Sequence, residues 1–257
     1  MATLKSPLLF VCGVAIVTLS TSPASAQRGD KAGGRPGGAN DSFTVHEFHG
    51  KNDHTLRYSL FKPAGDEKGL PLVLCLHGAG GNTSAANVLA DPAAQKKHPC
   101  IVVAPACDGR SVRWVDGAFR RKDQQRAVTP ELMEMLDAVI AETQADPKRV
   151  YLTGQSMGGI GTWGLLAAYP DRFAAAVPVC GIWQPEDAPK MAKVPIWAFH
   201  GALDETVPVD GSRRMIEALR KAGGSPKYTE LEDVGHGSWG PAYATADLWD
   251  WLFEQKR

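Results

Sequence analysis

The chain has 257 residues, and its 28 lysines and arginines balance 28 aspartates and glutamates, giving a formal charge of zero. With 44% hydrophobic and 22% charged residues it has the make-up of an ordinary globular protein, which excludes collagen-like, coiled-coil and polytopic membrane architectures and wholesale disorder. A neutral chain also lacks the electrostatic surplus that displaces counterions, so no nucleic-acid partner is expected.

Lys5 precedes an apolar run, Leu8 to Leu19, and small residues then lead to Ala24-Ser25-Ala26. This is the layout of a secretory signal peptide over residues 1–26, cleaved after Ala26. The apolar run is shorter than the ~20 residues that span a bilayer, so no stable membrane insertion is expected after cleavage. The expected destination is secreted or periplasmic. Residues 27–42 are rich in glycine and charge without apolar periodicity, and read as a flexible leader. Four cysteines follow, Cys75, Cys100, Cys107 and Cys180, whose pairing the sequence leaves open. No CxxC or Cys/His cluster accompanies them, and nothing in the chain calls for a metal or an organic cofactor.

From residue 43 to 257 the pattern is that of one domain. Phe43 to Phe48 and Thr55 to Phe61 read as an antiparallel hairpin. The short apolar runs Leu72 to Leu76, Ile101 to Pro105, Val150 to Thr153, Ala175 to Val179 and Ile196 to Phe199 read as parallel strands buried on both faces. Helical spacing marks Pro130 to Thr143, with Thr129 as its cap, as well as Val209 to Lys221 and Tyr243 to Phe253. Lys227 to Leu231 is a further strand-like run. The expected fold is α/β: a mostly parallel sheet with an N-terminal antiparallel hairpin, helices on both faces and no sizeable lid.

The chemistry gathers at strand ends. Gly154-Gln155-Ser156-Met157-Gly158 lies between a strand and a helical run. G-x-S-x-G in that setting is a nucleophile elbow, a turn so tight that flanking side chains must be nearly absent. It would hold the Ser156 hydroxyl at a helix N-terminus, where the dipole favours negative charge. A serine needs a base, and His236, in a late Gly-His-Gly loop, follows in the Ser…Asp…His order. Asp204, just past a strand end, is the acid expected to hold its tautomer, in preference to Glu205, Asp210, Glu232 and Asp233. The Gly-rich segment after Leu76 would supply one oxyanion donor, the backbone N–H of Ala79 or Gly80, and Met157 N–H the other.

His77-Gly78-Ala79-Gly80-Gly81, the elbow Gly154 to Gly159, His200-Gly201-x-x-Asp204-x-x-Val207-Pro208 and Gly235-His236-x-x-Trp239 together resemble the α/β-hydrolase superfamily. Within it the chain is similar to secreted carboxylesterases related to feruloyl and acetylxylan esterases, to polyhydroxyalkanoate depolymerases and to prolyl oligopeptidase catalytic domains. The resemblance implies ester hydrolysis through an acyl-enzyme, with Ser156, Asp204 and His236 carried over. Serine at the elbow departs from the cysteine of dienelactone hydrolases.

Only about 14 residues, Gly181 to Val194, fill the place where lipases insert a lid, which suits soluble or polymer-attached esters with short or aromatic acyl groups. Trp183, Trp239 and His77 are the expected substrate contacts, the two indoles by stacking on an aromatic acyl group or a sugar. The segment Asp108 to Arg126 carries Arg110, Arg113, Arg120, Arg121, Lys122 and Arg126, a basic edge toward an acidic polysaccharide or else a solvated loop. The expected partner is thus a small-molecule or polysaccharide-linked ester. Two other classes share these residues: a prolyl-oligopeptidase-like serine peptidase and a non-catalytic binding protein on the same fold.

Overall fold

The computed structural model describes residues 42–81, 83–107, 112–116 and 126–257. The expected signal peptide and all but the last residue of the leader lie outside them, as does most of the basic segment 108–126.

β1 (Thr44–His49) and β2 (Thr55–Phe61) form the antiparallel hairpin, and β2 pairs antiparallel with β4 (Ile101–Pro105). From there the sheet is parallel: β3 (Leu72–Leu76), β7 (Val150–Gln155), β8 (Ala175–Val179), β9 (Trp197–Gly201) and β10 (Lys227–Leu231) complete the order β1-β2-β4-β3-β7-β8-β9-β10. The fold class is therefore the expected one. The strand expected to end at Thr153 runs on to Gln155, and the one expected over Ile196 to Phe199 is shifted toward its C-terminus, ending at Gly201. A second, two-stranded ribbon pairs β5 (Val112–Arg113) with β6 (Arg126–Ala127).

Alternating side chains of each buried strand enter two different cores, as a period of two requires. Leu72, Leu74 and Leu76 of β3 pack with α3 (Thr129–Thr143), α4 (Met157–Ala168) and α6 (Asp210–Lys221) through Leu132, Met135, Trp163, Leu165, Met215 and Leu219. Val73 and Cys75 face the other way, onto α1 (Ser84–Leu89), and the same core takes in Tyr243 of α7 (Trp239–Tyr243) and Leu248 and Leu252 of α8 (Leu248–Glu254). All four cysteines are buried thiols.

Three local expectations are corrected. Thr129 is the first residue of α3 rather than its cap; its hydroxyl donates to the Trp114 carbonyl at 2.7 Å, a tertiary tie that outweighs a local one. The helix expected over Tyr243 to Phe253 is broken between α7 and α8, where the Thr245 hydroxyl bonds back to the Pro241 carbonyl at 3.2 Å and Asp247 opens the second helix. Two short helices, α1 and α2 (Pro92–Lys97), carry no long periodic run and were not expected; Asp91 caps α2 by accepting from Ala93 N–H at 2.8 Å. Between β8 and β9 lie a 3₁₀ turn and the four-residue α5 (Ala188–Met191), a short excursion rather than a lid.

Candidate active site

The carboxyl ends of β3, β7, β8 and β9 converge, and the candidate site is built there. Ser156, between β7 and α4, has φ 54° and ψ −118°, a backbone conformation that costs a non-glycine residue of order 1–3 kcal/mol. The surroundings hold it there. Its N–H bonds to the Val179 carbonyl at 3.0 Å, and its carbonyl accepts from Ile160 N–H at 2.9 Å. The flanking glycines allow the approach: a Cβ on Gly158 would stand 2.1 Å from the Leu76 carbonyl oxygen, and one on Gly159 would stand 2.3 Å from that of Val179. The turn is glycine-rich because β3 and β8 leave no room for carbon there.

Ser156 Oγ lies 2.9 Å from His236 Nε2, and His236 Nδ1 lies 2.8 Å from Asp204 Oδ2. Asp204 also accepts the N–H groups of Thr206 and Val207 on Oδ1, each at 2.9 Å. Burial opposes its charge, yet the bonds from His236, Val207 and Thr206 prevail and hold the carboxyl below its ordinary value. An ionised Asp204 only accepts, so His236 carries its proton on Nδ1 and presents the Nε2 lone pair to the serine hydroxyl. The structure thus brings together the three residues expected to act together, from three separate loops.

The expected oxyanion segment is adjacent. At Gly78 a Cβ would sit 3.3 Å from the Gln155 carbonyl oxygen and 3.5 Å from Ser156 Cβ, so the loop after β3 runs against the elbow. Ala79 and Gly80 then form an exposed turn closed by Gly81 N–H on the Gly78 carbonyl at 3.0 Å. Met157 is the first residue of α4, where the helix itself offers its N–H no acceptor.

The expected substrate contacts fare differently. His77 is 2% exposed: Nε2 accepts from Cys107 N–H at 2.9 Å, Nδ1 donates to the Gly78 carbonyl at 2.6 Å, and its ring meets Trp114 edge-on. Burial lowers its pKa. With both nitrogens committed, His77 braces the loop and is corrected from a substrate contact to a structural one. Trp183 is corrected likewise, since it is 9% exposed, packs against Gly164 and donates from Nε1 to Asp187 at 2.9 Å. Trp239 is half-buried at the start of α7, its ring edge-on to His236 with centroids 5.6 Å apart. It alone of the three keeps a face near the site.

Two residues with no assigned role in the sequence reading stand behind the relay. The Cys180 thiol, at the end of β8, lies with Asp204 and His236 such that their ligand atoms fall within 4.8 Å of one another, a spacing compatible with a metal ion. Burial pushes that thiol up to about 11, so it stays protonated and is a poor ligand as it stands. His200, fully buried in β9, reaches the same Asp204 carboxylate.

Residues 115–242 match the Dienelactone hydrolase family. The chain is 35% identical to a structure titled as a thermostable esterase, with a TM-score of 0.77, covering 84% of this chain and 64% of that one. It is 31% identical to poly(3-hydroxyalkanoate) depolymerase C of Paucimonas lemoignei over 51% of this chain and 33% of the relative. It is 26% identical to the bifunctional acetylxylan esterase/xylanase of Neocallimastix patriciarum over 64% of this chain and 24% of the relative. The chain therefore spans a quarter to a third of the length of these curated relatives. Sheet order, elbow and family match agree: this chain belongs to the α/β-hydrolase superfamily.

Proposed function

We propose that the protein is a serine carboxylic-ester hydrolase working through an acyl-enzyme, with Ser156 as nucleophile, His236 as general base and Asp204 as the group that orients it. The observation that carries this is the strained Ser156 held 2.9 Å from a histidine whose other nitrogen is 2.8 Å from a buried carboxylate. As Ser156 Oγ attacks an ester carbonyl, His236 Nε2 takes its proton, and the imidazolium formed faces Asp204. Negative charge develops on the former carbonyl oxygen, where Met157 N–H and the N–H of Ala79 or Gly80 receive it. His236 then protonates the leaving alkoxide, and water repeats the cycle to release the acid.

The substrates are short-acyl or aromatic-acyl esters, including esters attached to polysaccharide. The short excursion between β8 and β9 and the half-buried Trp239 beside His236 favour an open cleft with one aromatic wall. The esterase names of the relatives point the same way. Export fits the expected signal peptide, and no helix among the described residues is long and apolar enough to cross a membrane.

Initial rates on acetyl, feruloyl and long-chain acyl esters and on a prolyl amide test the proposal, with Ser156→Ala as control. Fast ester turnover that falls by at least about a thousandfold in Ser156→Ala is expected. Amide turnover above every ester would make the protein a peptidase. Ester turnover that survives Ser156→Ala would remove Ser156 from the chemistry.

A further inference from the structure

Asp204 Oδ2 serves two histidines. His236 Nδ1 lies 2.8 Å from it and His200 Nε2 3.1 Å, with the His200 ring fully buried four residues upstream at the end of β9. His200 Nε2 is also 2.9 Å from the Val207 carbonyl. Both neighbours of Nε2 are acceptors, so Nε2 carries the proton and shares it between them. Nδ1 lies 2.7 Å from Ser212 Oγ on α6. That hydroxyl donates to the Gly181 carbonyl at 3.0 Å, and the same carbonyl accepts from Trp163 Nε1 at 3.1 Å. The single Ser212 proton is shared between that carbonyl and His200 Nδ1, which leaves the ring neutral with its own proton on Nε2.

We propose that His200 is a positioning residue for the Asp204–His236 pair, its Nε2–H holding the shared carboxylate oxygen in place and withdrawing part of its charge from His236. The proposal rests on the reading of Ser156, His236 and Asp204 given above. A neutral donor does this without placing a second cation beside the imidazolium that forms on His236. Burial serves that end, lowering the pKa of the ring against the pull of the Val207 carbonyl and of Asp204. His236 is faced by Ser156 from the elbow, Asp204 and His200 from the end of β9, the Cys180 thiol from β8 and the Trp239 ring from α7. His200 is faced by Asp204, by His236 and, from β10, by Glu230, whose carboxylate is held by Arg213 and Tyr228.

The pH profile of kcat/KM on a soluble acetyl ester separates this from a merely structural histidine. In His200→Asn the amide is too short to reach Oδ2, and in His200→Phe no donor remains; Oδ2 then turns its full charge on His236 and favours the imidazolium. The acid limb is expected to move up by about 0.5–1 pH unit in both, with kcat reduced about tenfold and KM little changed. His200→Gln, which keeps a donor at the reach of Nε2, is expected to hold the limb near its original place. A folded Asn or Phe variant with an unmoved limb overturns the proposal. Nitrogen-15 spectra of the unaltered protein give a decision that needs no variant: His200 must be a neutral Nε2–H tautomer from pH 5 to 8, and an Nδ1–H tautomer or a titrating ring overturns it. Ester turnover that persists in Ser156→Ala would instead defeat the underlying reading, whatever His200 does.

Discussion

The two halves of the relay are built in opposite ways. Around Ser156 the backbones touch: a Cβ at Gly154, Gly158 or Gly159 would come within 2.4 Å of a carbonyl oxygen. Around His236 the glycines stand in open space, with the nearest atom to a Cβ at Gly235 3.5 Å away and nothing within 4 Å at Gly237 or Gly240. The nucleophile is held by steric necessity, the base by hydrogen bonds and one edge-on indole. Strain at Ser156 can persist only because β3, β7 and β8 over-determine the turn, whereas the base loop has latitude and relies on Asp204 to aim the ring.

That contrast ranks substitutions. The largest effect is expected at Gly158→Ala, where the added carbon meets the Leu76 carbonyl at 2.1 Å and that of His77 at 2.9 Å, both backbone atoms of a buried strand end. Neither side can yield, so a loss of more than about 4 kcal/mol is expected, read as insolubility or a collapsed melting temperature. A soluble Gly158→Ala protein with ordinary activity would show that the elbow is not over-determined. Asp204→Asn comes next and acts on aim instead of packing. An amide at this position disturbs the His236 tautomer, and kcat is expected to fall roughly a thousandfold or more while the fold survives. It also carries a pH signature. The depressed Asp204 contributes stability that is fully present above its ordinary value of 3.8 and is lost as the pH falls through the lower folded value. Melting curves of the two proteins should therefore differ most near neutrality and converge in strong acid.

The same contrast explains what could be read from the chain alone. The elbow was legible because its demand for glycine is local: the residues that must be small adjoin the serine in sequence. The central strands were legible because burial on both faces leaves unbroken apolar runs such as Leu72–Leu76 and Ala175–Val179. Asp204 and His236 could be picked out by chain order and strand-end position, yet their meeting depends on how two loops fold back. Trp183 was misread because a position just past a strand end does not say whether the side chain turns toward the cleft or, as here, under α4 to Gly164. His77 was misread for a related reason: its partner, Cys107 N–H, lies 30 residues away on another loop. The role of His200 was invisible because only the turn from β9 into α6 brings Val207, Asp204 and Ser212 around one imidazole.

Gly201→Ala lies between the two regimes. Its Cβ would sit 2.3 Å from the carbonyl oxygens of both Val234 and Gly235, but these belong to the base loop, which can move away. The clash is expected to be relieved by displacing His236, so kcat should fall about tenfold to a hundredfold with only a modest loss of melting temperature. A large stability loss with kcat intact would mean that the base loop is as rigid as the elbow.

The smallest effect, and the sharpest test of the loop's latitude, is expected from Gly237→Ala. Gly237 follows the base directly, has no positive φ, and has nothing within 4 Å of where a Cβ would stand. If the loop needs no more than space, alanine is tolerated, kcat/KM stays within about twofold, and the protein gains about 0.4–1 kcal/mol because its unfolded chain has fewer states to lose. If instead kcat falls tenfold while the melting temperature rises, the glycine is there for motion: His236 must shift between accepting the serine proton and delivering it to the leaving group. Either a slowed loop or a misplaced base would slow the pre-steady-state acylation burst. The temperature dependence of that burst in the two proteins separates them, since a slowed loop changes its slope whereas a misplaced base lowers the burst rate at every temperature.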